Sequence, residues 1–356
     1  MFCIAAFIIF LVLGIFSVRY RLLAKKAWRC VARKLTFRPC EVGFKEDAKN
    51  VLIGKLIFTR PRLAKFLDKW IEVFATVFVV LSVWSLFVVF QSGLNLFVYD
   101  TCNPKDVESC SLGGESCGIS SGQQTFVESL KSLTVLSWAR HETLFFVDTI
   151  SRIPDRFKDW DPKEYLAPTS TYYKPYDPQK LTALEVIDPS CKFCAKLFRN
   201  IKDAKFEDTY NLTYIPYAIP NPASPQGYKF PNSRLIVSYL EAVKLYPIDS
   251  EISPDWQILE RLFLSTSPDG RPYQENFNLL YSNEEAEAVL VLWLKDIGYD
   301  DTQIKAIQEA TQSSGVKSTI EKQEKIVEES IRTIKIPTII FDGRRYDRVI
   351  GEENLK

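Results

Sequence analysis

The segment Val186-Ile187-Asp188-Pro189-Ser190-Cys191-Lys192-Phe193-Cys194 holds the residues best suited to chemistry in this chain. Two cysteines stand two residues apart. A β-favouring run precedes them, and apolar residues at Ala195, Leu197, Phe198 and Ile201 follow at helical spacing. A C-x-x-C pair at a strand-to-helix turn suits three uses: half of a metal site, a structural disulfide, or a redox centre. At a helix N-terminus, free backbone N–H groups and the helix dipole favour a thiolate at Cys191, and Lys192 adds a positive charge beside it. Cys194, one turn further in, would be more buried. No histidine lies nearby to complete a metal site; the only one, His141, reads as an ordinary surface residue.

Which use applies depends on the compartment, and the ends of the chain speak to that. The first eighteen residues, Met1 to Val18, carry no charge, and Arg19, Arg21, Lys25 and Lys26 follow them. A signal peptide has the opposite order, so the run reads as an uncleaved anchor over residues 1–18. A second apolar run, Val73 to Phe90, predicts another span over residues 70–96. Residues 1–99 hold 15 Lys and Arg against 5 Asp and Glu, all 15 basic residues falling in 19–69; residues 100–356 reverse the balance, 30 against 39. The positive-inside rule puts 19–69 in the cytoplasm and everything beyond the second span outside. A two-pass protein in contact with the lipid bilayer is expected, with its C-terminal part extracytoplasmic. No basic groove with interleaved aromatics appears, which argues against nucleic acid.

Residues 97–180 begin with a Gly- and Ser-rich loop carrying Cys102, Cys110 and Cys117. On the oxidising side these read as a disulfide-stapled cap, and their odd number leaves one unpaired, paired between chains, or paired with Cys3. Cys30 and Cys40, in the basic loop, would be reduced. Residues 126–150 are helical in period, and 153–180, rich in Pro, Tyr and Asp, read as an extended linker. Residues 181–188 and 210–219 read as strands. Helical patterns follow over about 233–333, among them capping boxes at Ser282–Glu285 and Ser318–Glu321. Two short β runs close the chain, joined by Asp342-Gly343, a hairpin signal. The sequon at Asn211 falls in a strand and is not expected to be used.

Strand, C-x-x-C at a helix start, strand, helical insertion, Ile336-Pro337, hairpin: over residues 181–356 this order resembles the DsbA-like thiol–disulfide oxidoreductases. Glu185, six residues before Cys191, sits where that superfamily often keeps a buried acid, and Pro337 where it has a cis-proline. The N-terminal segment resembles, more loosely, the membrane part of thioredoxin-domain proteins from archaea and little-studied bacteria. The resemblance implies an α/β, thioredoxin-like fold with a helical insertion, preceded by two transmembrane helices. It implies Cys191 as nucleophile, Cys194 as resolver and Glu185 as proton carrier. Lys192, Phe193, Ile336 and Pro337 would border the substrate, which would add as a strand along Ile336. No cofactor or metal is implied. Its partners would be exported cysteine-containing proteins and a membrane redox partner. The alternative is a thioredoxin-fold scaffold that binds a partner without catalysis. Lys-Phe between the cysteines is neither the Pro-His of strong oxidases nor the Gly-Pro of thioredoxin. The resemblance also lacks its usual closing helix, since the chain ends at Gly351-Glu352-Glu353-Asn354-Leu355-Lys356.

Overall fold

The computed structural model describes residues 2–16, 18–35, 61–104, 106–107, 115–119 and 125–356. They fall into two units, Met1–Gln91 and Ser92–Lys356. The first begins with α1 (Phe2–Phe16) and α2 (Val18–Leu35), and α3 (Pro61–Tyr99) runs from it into the second. Small residues let these helices approach: Ala5 and Ala6 of α1, Ala24, Ala27 and Cys30 of α2, and Ala75 of α3 share one buried cluster with Phe10 and Val79.

Two spans were expected. Among the described residues one helix is long and apolar enough to cross a bilayer, Val73–Tyr99, with 27 residues and a mean hydropathy of 2.6. The N-terminal run is helical over Phe2–Phe16, 15 residues. A further difference concerns Cys30, which is disulfide-bonded rather than reduced. Cys40, Cys110 and the side chain of Cys3 lie outside the described residues.

The second unit is built on a four-stranded sheet. β1 (Cys117–Gly118) stands apart from it; the sheet strands are β2 (Leu181–Ile187), β3 (Tyr210–Pro216), β5 (Thr338–Phe341) and β6 (Arg344–Tyr346), in the order β3-β2-β5-β6. β4 (Lys335–Ile336) pairs with β1. β2 and β3 are parallel, joined through α6 (Lys192–Ala204), while β5 lies antiparallel to β2 and turns through Asp342 and Gly343 into β6. Both turn residues have positive φ, 48° and 69°, as a two-residue turn of this hand requires. A βαβ unit facing a ββ hairpin across one sheet is the thioredoxin-like arrangement. β2 is buried on both faces beyond Leu181, which is why it reads as a mainly apolar run, with Thr182 and Glu185 its polar residues.

Between β3 and β4 the chain forms a helical insertion: α7 (Ser233–Val243), α8 (Pro254–Leu264), α9 (Tyr273–Leu279), α10 (Asn283–Ile297), α11 (Asp301–Thr311) and α12 (Ser314–Lys325), which continues into a wider turn to Ile331. The Ser282–Glu285 capping box is formed. The one expected at Ser318 is not: α12 starts four residues earlier, capped by Ser313, whose hydroxyl accepts from Val316 N. Residues 126–150 split into α4 (Phe126–Lys131) and α5 (Val135–Ser151), with Leu133 at φ 57° between them.

Residues 153–180 do not form a free linker. Trp160 N donates to Gly343 O at one sheet edge, and Tyr173 N to Leu212 O at the other. Trp160, Tyr165 and Tyr173 are buried in the core. Aromatic side chains in a Pro-rich segment have too much apolar area to stay in water. Residues 347–356 pack back onto α6. Ile350 and Leu355 are buried, and Asn200 Nδ2 of α6 donates to Ile350 O at 2.7 Å.

The insertion joins the sheet through Trp256 of α8, which is wholly buried and meets Tyr173 and Tyr214 edge-on, at centroid distances of 5.5 and 4.6 Å, with Phe198 of α6 stacked at 6.2 Å. Trp256→Ala removes the side chain that three elements share. It is expected to lower the unfolding free energy by about 3–5 kcal/mol, measured as a lower urea midpoint of the purified chain.

Candidate functional site

The turn from β2 into α6 is anchored from several sides. Asp188 is fully buried there. Its Oδ1 accepts from Ser190 N at 2.8 Å and Ser233 Oγ at 2.7 Å, its Oδ2 from Ile219 N at 2.8 Å, and its carbonyl from Cys191 N at 3.0 Å. One carboxylate thus ties the turn to the chain beyond β3 and to the first helix of the insertion. α9 adds a second hold: Gln274 Nε2 donates to the carbonyls of Pro189 and Cys191, and Asn278 Nδ2 to that of Ser190. Asp188, Gln274 and Asn278 were not picked out as site residues from sequence. Asp188, sitting beside Pro189 before a helix start, carried a usable signal; the α9 residues, some eighty positions away, carried none.

Cys191 is the N-cap of α6, with extended backbone and its carbonyl accepting from Cys194 N and Ala195 N. Its sulfur therefore lies at the positive end of a 13-residue helix. Ile336 O lies 3.8 Å from the sulfur, and the Ile336–Pro337 peptide is cis. Lys192 is exposed, with its ammonium 5.0 Å from the ring centre of half-buried Phe193.

Cys191 is fully buried. Cys117 does not belong to a staple within its own loop, contrary to the expectation from the sequence. It is bonded to Cys191, with 6.6 Å between the Cα atoms, across a sequence separation of 74. β1 lies antiparallel on β4 with Cys117 opposite Ile336 and Gly118 opposite Lys335, and Ile119 N donates to Ile334 O at 2.9 Å. The backbone beside Ile336, expected to be free for a substrate, is taken by the chain's own strand. Spacing cannot reveal such a pairing, because it joins two segments with no shared pattern. Cys102 is also disulfide-bonded.

Cys194 is a buried thiol one turn along α6. Burial pushes its pKa well up, the charge of Asp188 pushes it further, a hydrogen bond from the Asp188 backbone opposes, and the charge of Glu185 adds to the rise. Glu185 lies on β2, between Tyr214 of β3 and Ile339 of β5, and is 1% exposed. Neither of its carboxylate oxygens has a protein partner among the described residues. Burial alone lifts its pKa from 4.5 to about 8. Asp188 rises from 3.8 to about 6 through burial, held lower than Glu185 by its three hydrogen bonds and by Lys229. Glu185 is thus kept ready to hold a proton near neutral pH, while Asp188 ionises more easily.

No protein-family model matches the sequence, and no curated relative matches it. Several solved structures are similar. One is the thiol-disulfide oxidoreductase MdbA from Corynebacterium diphtheriae, 16% identical, covering 54% of this chain and 98% of that one with a TM-score of 0.38. A second is a thioredoxin-like oxidoreductase from Silicibacter pomeroyi DSS-3, 13% identical over 54% of this chain and 90% of that one, TM-score 0.37. A third is reduced DsbG, a disulfide bond oxidoreductase from Mycobacterium tuberculosis, 15% identical over 52% and 91%, TM-score 0.34. The strand order and the insertion point, not these likenesses, define the fold as thioredoxin-like.

Glu185 binds a proton in the folded chain that the unfolded chain releases above about pH 4.5. The folded state therefore holds more protons between pH 4.5 and 8, and stability falls as pH rises through that window. Glu185→Gln removes this loss. Its stability relative to the parent chain is expected to rise from pH 4.5 to 8 by on the order of 4 kcal/mol, read from urea unfolding at a series of pH values. A pH-independent difference would mean that Glu185 ionises freely in the fold.

Proposed function

We propose that this chain is a membrane-anchored thiol–disulfide oxidoreductase acting through Cys191 and Cys194 on cysteine-containing proteins outside the cytoplasm. One observation carries the reading. A sulfur at the positive end of α6 sits beside the Ile336 carbonyl, with a buried thiol one turn along the helix and a buried carboxyl on β2. Reduced Cys191 gains thiolate character from the helix end and attacks a substrate disulfide. Cys194 gives its proton toward Glu185, whose pKa of about 8 suits a carrier near neutral pH, and resolves the mixed disulfide. Lys192 and Phe193 border the sulfur, and Ile336 offers its backbone to the substrate strand. A membrane partner would set the direction by recharging or draining the pair.

The anchor in this reading is the apolar stretch Val73–Tyr99 of α3. The basic residues of 19–69 precede it, which favours a cytoplasmic side for them and an external side for the second unit. The Cys117–Cys191 disulfide suits an oxidising environment there, whereas the disulfide at Cys30 runs against a reducing compartment for 19–69.

A second reading has an observation of its own. Cys191 is covered and bonded to Cys117, as a structural staple in a non-catalytic scaffold would be. Activity separates the two. In the purified full chain, Cys191→Ser is expected to abolish disulfide reduction of insulin and oxidation of a dithiol peptide. A variant as active as the parent chain would leave the scaffold reading standing.

Orientation has its own test. In a cysteine-free background, an impermeant maleimide on intact cells is expected to label a cysteine placed by Ser265→Cys, an exposed position on the second unit. It is not expected to label one restored at residue 40. Labelling at residue 40 alone would put the oxidoreductase unit inside.

A further inference from the structure

The segment that closes the groove has the features of a substrate. An extended partner of this site would lie antiparallel to the residues before Pro337 and present a cysteine to Cys191. Residues 117–119 do both, with Cys117 opposite Ile336 and its sulfur bonded to Cys191. Cys191 is fully buried and Cys117 is 4% exposed, so no external disulfide reaches the sulfur while this strand is in place. The strand is lightly held. It is two residues long. Glu115 makes an exposed ion pair with Lys196 and accepts from Val349 N, and Lys229 reaches Gly118 O at 3.4 Å. Val107 packs where a Cβ on Gly118 would stand, 2.8 Å from its own Cβ, so only glycine lets the strand lie this close.

Resting on the oxidoreductase reading, we propose that Cys117 is a third redox cysteine and residues 115–119 a built-in substrate. Exchange between the Cys117–Cys191 and Cys191–Cys194 disulfides shuts and opens the groove. In the opening step, Cys194 loses its proton to the Glu185 carboxylate and attacks the Cys191 sulfur. The Cys191–Cys194 bond forms, the Cys117–Cys191 bond breaks, and Cys117 leaves as a thiolate that takes a proton from water. One disulfide and one thiol stand on each side, so no oxidant or reductant is consumed. With the groove open, the Cys191–Cys194 disulfide can accept a substrate dithiol. When no substrate comes, Cys117 re-forms the closed state.

The test maps disulfides by acid quench, alkylation and peptide mass spectrometry in the full chain, and follows oxidation of a dithiol peptide. The parent chain is expected to give both one-disulfide forms, and Cys194→Ser only the Cys117–Cys191 form. Cys117→Ser is expected to raise the oxidation rate, about tenfold if the open form is a tenth of the population. Should Cys117→Ser fold poorly, Gly118→Val serves instead. It leaves all three cysteines intact, drives the strand from its bed, and is expected to shift the mixture toward Cys191–Cys194 and raise the rate. A parent chain holding only Cys117–Cys191, or unchanged rates in Cys117→Ser and Gly118→Val beside an inactive Cys191→Ser, would overturn the built-in substrate while leaving the oxidoreductase. Full activity in Cys191→Ser would remove both.

Discussion

Asp188 is the constraint on which the rest of the site depends. A carboxylate at the end of a buried strand is costly to desolvate, and this chain satisfies it with Ser190 N, Ile219 N and Ser233 Oγ. Those three donors come from the cysteine turn, the chain beyond β3, and the insertion. Their convergence sets where α6 starts and hence where the Cys191 sulfur lies. The same hydrogen bonds keep Asp188 easier to ionise than Glu185, though both are fully buried. Two acids close in sequence are thereby separated by their partners, one ordering the turn and the other free to carry a proton.

The insertion has a local reason to exist. α9 supplies donors to the carbonyls of Pro189 and Ser190 through Gln274 and Asn278, and buried unpaired carbonyls are expensive. Trp256 couples that layer to the sheet through its aromatic neighbours. The helical layer is therefore part of the site's support as well as a cover for the sheet.

The strand–helix–strand order, the helical character of 233–333 and the turn at Asp342-Gly343 were legible in the sequence, because each rests on a local pattern. The burial of Glu185 was not, since alternation allows it to face either way, and only the family resemblance pointed to it. Asn211, in a sequon, instead spends its amide on Asp177 and Lys180. What was illegible was long-range or set by packing. The bond from Cys117 to Cys191 joins segments 74 residues apart. Residues 153–180 looked like linker because prolines dominate their pattern, while their buried aromatics find partners on both sheet edges.

The closing loop is held at both ends by one short strand. Lys335 of β4 is buried, its pKa lowered by that burial, and its ammonium donates to Asp100 O, where the loop begins; its backbone faces Gly118, where the loop ends. Released from β4, Cys117 would remain in the same chain as Cys191, so the two would meet intramolecularly, at an effective concentration set by the chain between them. A protein substrate would meet that internal competitor at every encounter. Selection for substrates would then come from strand pairing along Ile336 and from side-chain contacts near Phe193, since thiol reactivity alone would favour the tethered cysteine. A lightly held two-residue strand suits such a competitor, because a longer one would keep the groove shut.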